Sequence, residues 1–105
     1  MIDVEIFDNT ATEQGGGLAV RFDSTVSLLP PRVTVGGTSQ LSANSADFGG
    51  GVYTELSTFT LDTDASIHGN MAHRDGGGIQ AVDGITTLIG TITNNTASVD
   101  GGGVY

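Results

Sequence analysis

Four glycine triplets divide the chain, and an aliphatic residue follows each of them. A second motif, [Ile/Leu]-x-x-Asn-x-Ala, comes shortly before every triplet and begins at Ile6, Leu41, Ile67 and Ile92. Because a fixed internal period is the signature of a repeat architecture, we expect a stack of similar units. The triplets are Gly15, Gly16 and Gly17; Gly49, Gly50 and Gly51; Gly76, Gly77 and Gly78; and Gly101, Gly102 and Gly103.

The spacing of the motifs sets the size of the unit. The second and third motifs begin 26 residues apart and the third and fourth 25 residues apart, whereas the first and second are 35 residues apart. Pro30 and Pro31 lie in the longer interval, and a Pro pair cannot join a central strand ladder. We therefore expect one domain over residues 1–105, with repeat copies 1 to 4 at residues 6–40, 41–66, 67–91 and, incompletely, 92–105. Copy 1 would carry a loop insertion around residues 28–32.

Apolar and polar residues alternate between the glycines, as in the stretch Thr58-Phe59-Thr60-Leu61-Asp62. Alternation with a period of two predicts strands whose Phe59 and Leu61 point inward. A unit of about 25 residues holds three short strands with their bends. The sequence therefore predicts an all-β fold, a right-handed parallel β-helix (solenoid) of about four coils, with the aliphatic residues that begin the motifs in one inward column.

The recurrent asparagines and glycines have predicted structural roles. Asparagine amides stacked one above another can hydrogen-bond along the stack, and asparagine also tolerates left-handed backbone at a bend. Glycine allows sharp turns and close backbone approach because it lacks a Cβ. We expect the glycine triplets to form the coil turns and the asparagines to form a ladder of Asn9, Asn44, Asn70 and Asn95.

These motifs resemble the repeats of bacterial right-handed parallel β-helix proteins, above all polymorphic outer-membrane protein repeats and autotransporter passenger domains. In those repeats a Phe-x-x-Asn element alternates with a Gly-Gly-Ala-Ile element. Here Ile6-Phe7-Asp8-Asn9 and Gly15-Gly16-Gly17-Leu18 take those places, with Ile or Leu for the Phe and a third glycine where the family often has Ala. The resemblance implies an extracellular or cell-surface protein. It implies the fold more than the role, since related coils serve as adhesins, stalks, tailspikes and polysaccharide-active enzymes.

The charge of the chain limits its partners. Twelve acidic and three basic residues give a formal net charge of -9, and there is no Cys. Nucleic-acid binders need Lys and Arg to displace counterions, so nucleic acid is not an expected partner. Anionic membrane surfaces would repel the chain, and no apolar run is long enough to insert into a membrane. Cations, glycans, a host surface and other copies of the chain remain as partners.

The best candidates for chemistry are Asp75 and Asp100, which precede the last two glycine triplets. They occupy equivalent positions in neighbouring copies, so they are weak candidates for Ca²⁺ binding. The same position holds Gln14 and Phe48 in the other copies, and Asp-Gly is a natural turn pair, so solvated turn residues are the favoured interpretation. We expect no catalytic residues, no enzymatic activity and no cofactor.

Three functions fit this sequence. The favoured one is an extracellular structural building block that stacks head to tail into a fibre or surface stalk, because no capping segment is evident at either end of the repeats. The alternative is a fragment of an adhesin or autotransporter passenger. A fragment of a β-helix polysaccharide-active enzyme is less favoured, since no cluster of catalytic residues stands out.

Overall fold

The computed structural model describes residues 4–21 and 31–105. Within these residues the chain forms eleven strands and no helix, which confirms the predicted all-β class. No helix that could span a membrane occurs in this part of the chain. The strands are β1 (Glu5–Phe7), β2 (Leu18–Arg21), β3 (Arg32–Val35), β4 (Gln40–Ser42), β5 (Ser45–Phe48), β6 (Val52–Leu61), β7 (Ser66–His68), β8 (Met71–Asp75), β9 (Ile79–Leu88), β10 (Thr91–Thr93) and β11 (Thr96–Ala97).

Three parallel sheets contain all of these strands. Sheet A has the order β1-β4-β7-β10, sheet B the order β11-β8-β5, and sheet C the order β2-β6-β3 with β9 also paired to β6. The chain passes through the sheets in a fixed sequence, because β4, β5 and β6 belong to sheets A, B and C, and β7, β8 and β9 repeat that order. Each sheet is therefore built from equivalent strands of successive copies. Among the described strands, no sheet closes on itself.

The strand register follows the repeat of the sequence. Leu41 pairs with Ile6 on one side and with Ile67 on the other, and Ile67 pairs in turn with Ile92. The stretch from the first aliphatic residue to the first glycine is one residue shorter in copy 2 than in the other copies. Because of this difference, the register between β5 and β8 shifts by one residue between Ala46, which pairs with Ala72, and Phe48, which pairs with Asp75. The periodicity of the sequence thus sets which residues stack.

A narrow apolar core lies between sheets A and C. Leu41 and Ile67 from sheet A are almost completely buried, as are Phe59 and Leu61 from sheet C. Partly buried apolar residues from the neighbouring copies pack against this cluster. The side chains alternate in the second half of β6 as the period of two predicts, so that Phe59 and Leu61 face inward while the intervening Thr60 is partly exposed.

The expected loop insertion at residues 28–32 lies mostly outside the described residues, which resume at Pro31. Its last residue was wrongly placed in a loop, because Arg32 is the first residue of β3 and pairs with Thr58 of β6. Pro31 itself precedes the strand, where a missing backbone N–H removes no ladder hydrogen bond. Its carbonyl oxygen accepts a hydrogen bond from the backbone N–H of Thr58 at 2.9 Å.

Replacing a residue of the inward column tests this core. We expect Ile67→Ala to lower the free energy of unfolding by about 2–5 kcal/mol, because the Ile67 side chain is fully buried and its loss leaves a cavity. The control is Ile85→Ala, since Ile85 is 63% exposed and its replacement should change stability by less than about 0.5 kcal/mol. Urea unfolding of the two variants measures the difference, and equal losses would contradict the inward assignment.

Candidate functional site

The four recurrent asparagines lie in one column, at the bend between sheets A and B. The backbone N–H and the side-chain Nδ2 of Asn44 both donate to Oδ1 of Asn70, at 2.9 and 3.0 Å. Asn70 donates in the same way to Oδ1 of Asn95, at 2.9 and 3.0 Å. Asn9 donates to Oδ1 of Asn44 with both groups at 3.1 Å. One side-chain oxygen in each of copies 2 to 4 therefore accepts two hydrogen bonds from the copy before it.

A second set of hydrogen bonds ties each amide to the strand of the preceding copy. The Nδ2 of Asn70 donates to the carbonyl oxygen of Leu41 at 3.0 Å, and the Nδ2 of Asn95 donates to that of Ile67 at 3.0 Å. Asn44 and Asn70 are only 1% exposed, so these polar groups need partners within the protein. Only an amide side chain offers both an acceptor oxygen and two N–H donors at one position. An asparagine at this position therefore both donates to and accepts from the buried polar groups of the neighbouring copies, which Asp or Leu could not do.

The left-handed backbone at this bend does not belong to the asparagines, contrary to the sequence-based expectation. The residue before each asparagine has a positive φ instead, with values of 57°, 55°, 65° and 54° at Asp8, Ala43, Gly69 and Asn94. Four different residue types occupy this position, so the backbone strain is tolerated without a preference for glycine. The asparagines contribute their side-chain amides to this bend, and the residue before each of them provides the left-handed backbone.

The asparagine column has a direction. In the hydrogen bonds between one asparagine and the next, the donor always belongs to the copy nearer copy 1 and the acceptor Oδ1 to the copy nearer copy 4. Among residues 4–21 and 31–105, no group donates to Oδ1 of Asn9, and the backbone N–H of Asn95 has no acceptor.

The glycine triplets line a second column, in which the backbones of successive copies approach closely. The first glycine of each triplet has a positive φ, between 60° and 66°. The second and third glycines leave no space for a side chain inside the stack. A Cβ on Gly50 would overlap the carbonyl oxygens of Met71 and Gly77, and one on Gly78 would overlap that of Gly103. Backbone hydrogen bonds cross this contact, for example from Gly50 N to Gly76 O at 3.0 Å.

The two aspartates proposed as calcium ligands are neighbours across copies 3 and 4. Asp75 and Asp100 form a parallel bridge, and Gln14 and Phe48 form the equivalent bridge between copies 1 and 2. One carboxylate oxygen of Asp75 is buried without a hydrogen-bond partner. Calcium needs six to eight oxygen ligands, and no group of three acidic, His or Cys side chains gathers anywhere in the described part of the chain. The calcium assignment stays a prediction that rests on two side chains.

Charged and aromatic side chains make further contacts between copies on the outer surface. Arg21 bonds to Glu55 at 3.0 Å, and His73 lies 3.4 Å from Asp47. The guanidinium of Arg74 stacks over the ring of Phe48 at 5.2 Å. Sequence reasoning missed these pairs, although aligning the copies in register would have placed Asp47 beside His73.

Tyr53 lies in the same region of the surface as the Arg21–Glu55 pair. Burial raises the pKa of its hydroxyl, the charge of Glu55 raises it further, and the charge of Arg21 opposes the change. Tyr53 is only 5% exposed, so its ring is not free to stack on a ligand. The ring belongs to the packing of the stack.

An open apolar hollow of about 510 Å³ lies at the copy 1 end of the core. Its lining includes Ile6, Leu18, Val33, Val35 and Leu41. Ile6, Leu18 and Leu41 begin or follow the repeat motifs, so the hollow is a cross-section of the same core that fills the middle of the stack.

The repeated parallel strands and the asparagine column define an all-β repeat protein. In its last copy, residues 90–105 match the family model of the Chlamydia polymorphic membrane protein repeat. The matched segment contains β10, β11, Asn95 and the fourth glycine triplet. This match confirms the resemblance inferred from the motifs and is consistent with a polymorphic membrane protein or autotransporter-like repeat protein. That repeat family implies an outer-membrane or cell-surface location. No curated protein and no solved structure matches the chain.

Removing one buried amide tests the importance of the ladder. We expect Asn70→Ala to lower the free energy of unfolding by at least about 2 kcal/mol, because each buried donor or acceptor left without a partner costs about 1–3 kcal/mol. The substitution would strand the carbonyl oxygen of Leu41 and two N–H donors of Asn44.

Asn9→Ala is the matched control, because Asn9 is exposed and its side chain makes one hydrogen bond to the described residues. We expect it to cost less than about 1 kcal/mol. Urea unfolding measures both variants, and a loss at Asn70 no larger than that at Asn9 would show that the ladder does not stabilise the stack.

Proposed function

We propose that this chain is a segment of right-handed parallel β-helix that serves as an extracellular structural building block, whose copies stack head to tail into a fibre or surface stalk. The observation that carries the proposal is the in-register pairing of equivalent residues in successive copies, in all three sheets. A chain that passes through sheets A, B and C and then pairs one strand further along each sheet winds as a solenoid.

The distribution of polar groups supports a structural role. The buried amides of Asn44 and Asn70 are used in bonds between copies, as are the surface pairs Arg21–Glu55 and Asp47–His73. These contacts lie along the axis of the stack, where they resist separation of the copies. The proposal is therefore of a structural protein that is not an enzyme.

Exposed apolar side chains support the proposed head-to-tail assembly. The copy 1 end presents the apolar hollow lined by Ile6, Leu18 and Leu41. At the copy 4 end, Leu88 and Val104 belong to inward columns but are 39% and 41% exposed. Burying these two surfaces against each other removes apolar area from water. The net charge of -9 repels the sides of neighbouring stacks, so that end-to-end contact is favoured over lateral clumping.

Negative-stain electron microscopy of the chain over a range of concentrations tests this proposal. We expect thin unbranched filaments, which grow longer as the concentration rises because an open head-to-tail contact has no closed end point. Raising the salt concentration should thicken the filaments by screening their mutual repulsion. A chain that stays monomeric at millimolar concentration would rule out the fibre.

The match of residues 90–105 to the Chlamydia polymorphic membrane protein repeat favours a second candidate function, a segment of an adhesin or autotransporter passenger. In this case the surface of the stack would bind glycans or a host surface, and filaments would not be needed. We expect the fluorescently labelled monomeric chain to bind cultured host cells saturably, and to lose binding after glycosidase treatment of the cells. Unsaturable binding, equal to that of a similarly acidic control protein, would exclude this candidate.

A further inference from the structure

We propose that the bend between sheets B and C in copies 3 and 4 binds a calcium ion, with oxygen ligands from Asp75, Gln80 and Asp100. This site is independent of head-to-tail assembly and of glycan binding. It adds a third ligand to the two aspartates, because the side-chain oxygen Oε1 of Gln80 is buried and has no hydrogen-bond partner.

Asp75 and Gln80 flank the first glycine of the third triplet. Asp75 directly precedes Gly76, and a Cβ placed on Gly76 would lie 2.8 Å from the Cβ of Gln80. Gly76 has a φ of 66°, so the chain turns sharply here and brings Gln80 back beside the glycine. Gln80 follows the buried core residue Ile79, so its side chain points away from the core. The side chains of Asp75 and Gln80 therefore begin on either side of Gly76 and can reach one ion between them.

Each of these two side chains buries an oxygen atom that accepts no hydrogen bond in the described part of the chain. The atoms are Oδ1 of Asp75 and Oε1 of Gln80. Gln80 is only 8% exposed, so water has little access to its amide. A buried acceptor without a donor is unfavourable, and a buried carboxylate oxygen is more so. Two such oxygens beside one glycine favour a cation that prefers oxygen ligands, which calcium does.

Neighbouring copies enclose these two oxygens from both directions along the stack. On the copy 2 side, Phe48 pairs with Asp75 and Tyr53 pairs with Gln80. On the copy 4 side, Asp100 pairs with Asp75. The two oxygens lie inside the stack, and their lack of partners does not depend on the first or the last residue of the sequence.

Asp100 supplies a second negative charge next to Asp75. Like charges directly opposite each other on paired strands are destabilising. In the part of the chain that the structure describes, neither carboxylate has an ion-pair partner, and the neighbouring Arg74 lies over the ring of Phe48 instead. A calcium ion between the two carboxylates would replace their repulsion by attraction and would join copies 3 and 4 at this bend.

The ligand set favours calcium among the common metal ions. The three ligands are two carboxylates and an amide oxygen, and calcium accepts such oxygens in a flexible geometry, whereas magnesium demands a near-ideal octahedron. Zinc sites use His and Cys, and no group of three acidic, His or Cys side chains gathers in residues 4–21 and 31–105. Water would complete the coordination, so we expect a dissociation constant between about 10⁻⁴ and 10⁻³ M.

Terbium luminescence tests the site on the full chain. Terbium replaces calcium at oxygen sites and emits when a nearby tyrosine transfers its excitation to it. The chain has two tyrosines, and both lie beside Gln80: Tyr53 pairs with it in copy 2, and Tyr105 bonds to Ile79 and Ala81 from copy 4. We expect tyrosine-excited terbium emission that calcium displaces in a saturable way.

Two substitutions and a matched control locate the ion. Asp75→Asn keeps the shape of the side chain and removes its charge, so it should weaken terbium and calcium binding at least about tenfold. Gln80→Met removes the amide oxygen and should weaken binding about threefold or more. The control is Asp83→Asn, which removes one charge from an exposed position of the same copy and should bind as the unmodified chain does.

Thermal unfolding separates a bound ion from general screening of charge. We expect about 10 mM calcium to raise the unfolding midpoint by about 5 °C or more. Sodium chloride of equal ionic strength should raise it much less. Without calcium, Asp75→Asn should be at least as stable as the unmodified chain, because one of two repelling charges is gone. With calcium it should be the less stable of the two, and a purely structural role for Asp75 would not reverse the order.

The outcomes decide for or against the site. Loss of binding in Asp75→Asn, with binding kept in Asp83→Asn, would establish it. A midpoint that magnesium or sodium chloride raises as much as calcium would show screening alone and overturn the proposal. Terbium emission that Asp75→Asn leaves unchanged would overturn it as well. Absence of any calcium effect would do the same and would assign Gln80 as a direct hydrogen-bond donor to Asp75.

Discussion

The buried asparagine column is the constraint on which the rest of this structure depends. A narrow stack of short strands has little apolar volume, and the buried core cluster of the described residues has only seven members. Amides of Asn44 and Asn70 nevertheless lie in the interior, almost inaccessible to water. They are acceptable there because every N–H and oxygen that the column buries finds a partner in the neighbouring copy. The register of the strands is therefore specified by directional bonds as well as by apolar side chains.

The glycine triplets make this column possible. The bend that holds each asparagine lies beside the backbone of a triplet, and the amide of Asn70 faces the place where Gly51 has no Cβ. A larger residue at Gly51 or Gly78 would push the copies apart and lengthen the amide hydrogen bonds. The asparagine of one copy therefore packs against the glycine triplet of the copy before it. This contact explains why the asparagine motif and the glycine triplet occur together in all four copies.

Much of this arrangement could be predicted because it is periodic. The inward positions of Leu41, Ile67 and Phe59 followed from alternation, and the grouping of the asparagines followed from their equal places in the repeat. The sequence did not predict the positive φ of the residue before each asparagine, because Asp8, Ala43, Gly69 and Asn94 share no common chemistry. The strand position of Arg32 was also missed, since the neighbouring prolines dominated the local pattern. Contacts that depend on one side chain in one copy, such as Arg74 over Phe48, carry no repeat signal.

In copies 1, 3 and 4 the segment from the first aliphatic residue to the first glycine has the same length, and this has an evolutionary consequence. Each of these copies offers the same donors on one side and the same acceptors on the other, so a gene that gained or lost one whole repeat would encode a stack with every junction intact. The change would alter the length of the protein by about 4.8 Å per repeat and leave the chemistry of its surfaces almost unchanged. Stacks of different length could then arise by recombination within the gene, without any compensating point mutation.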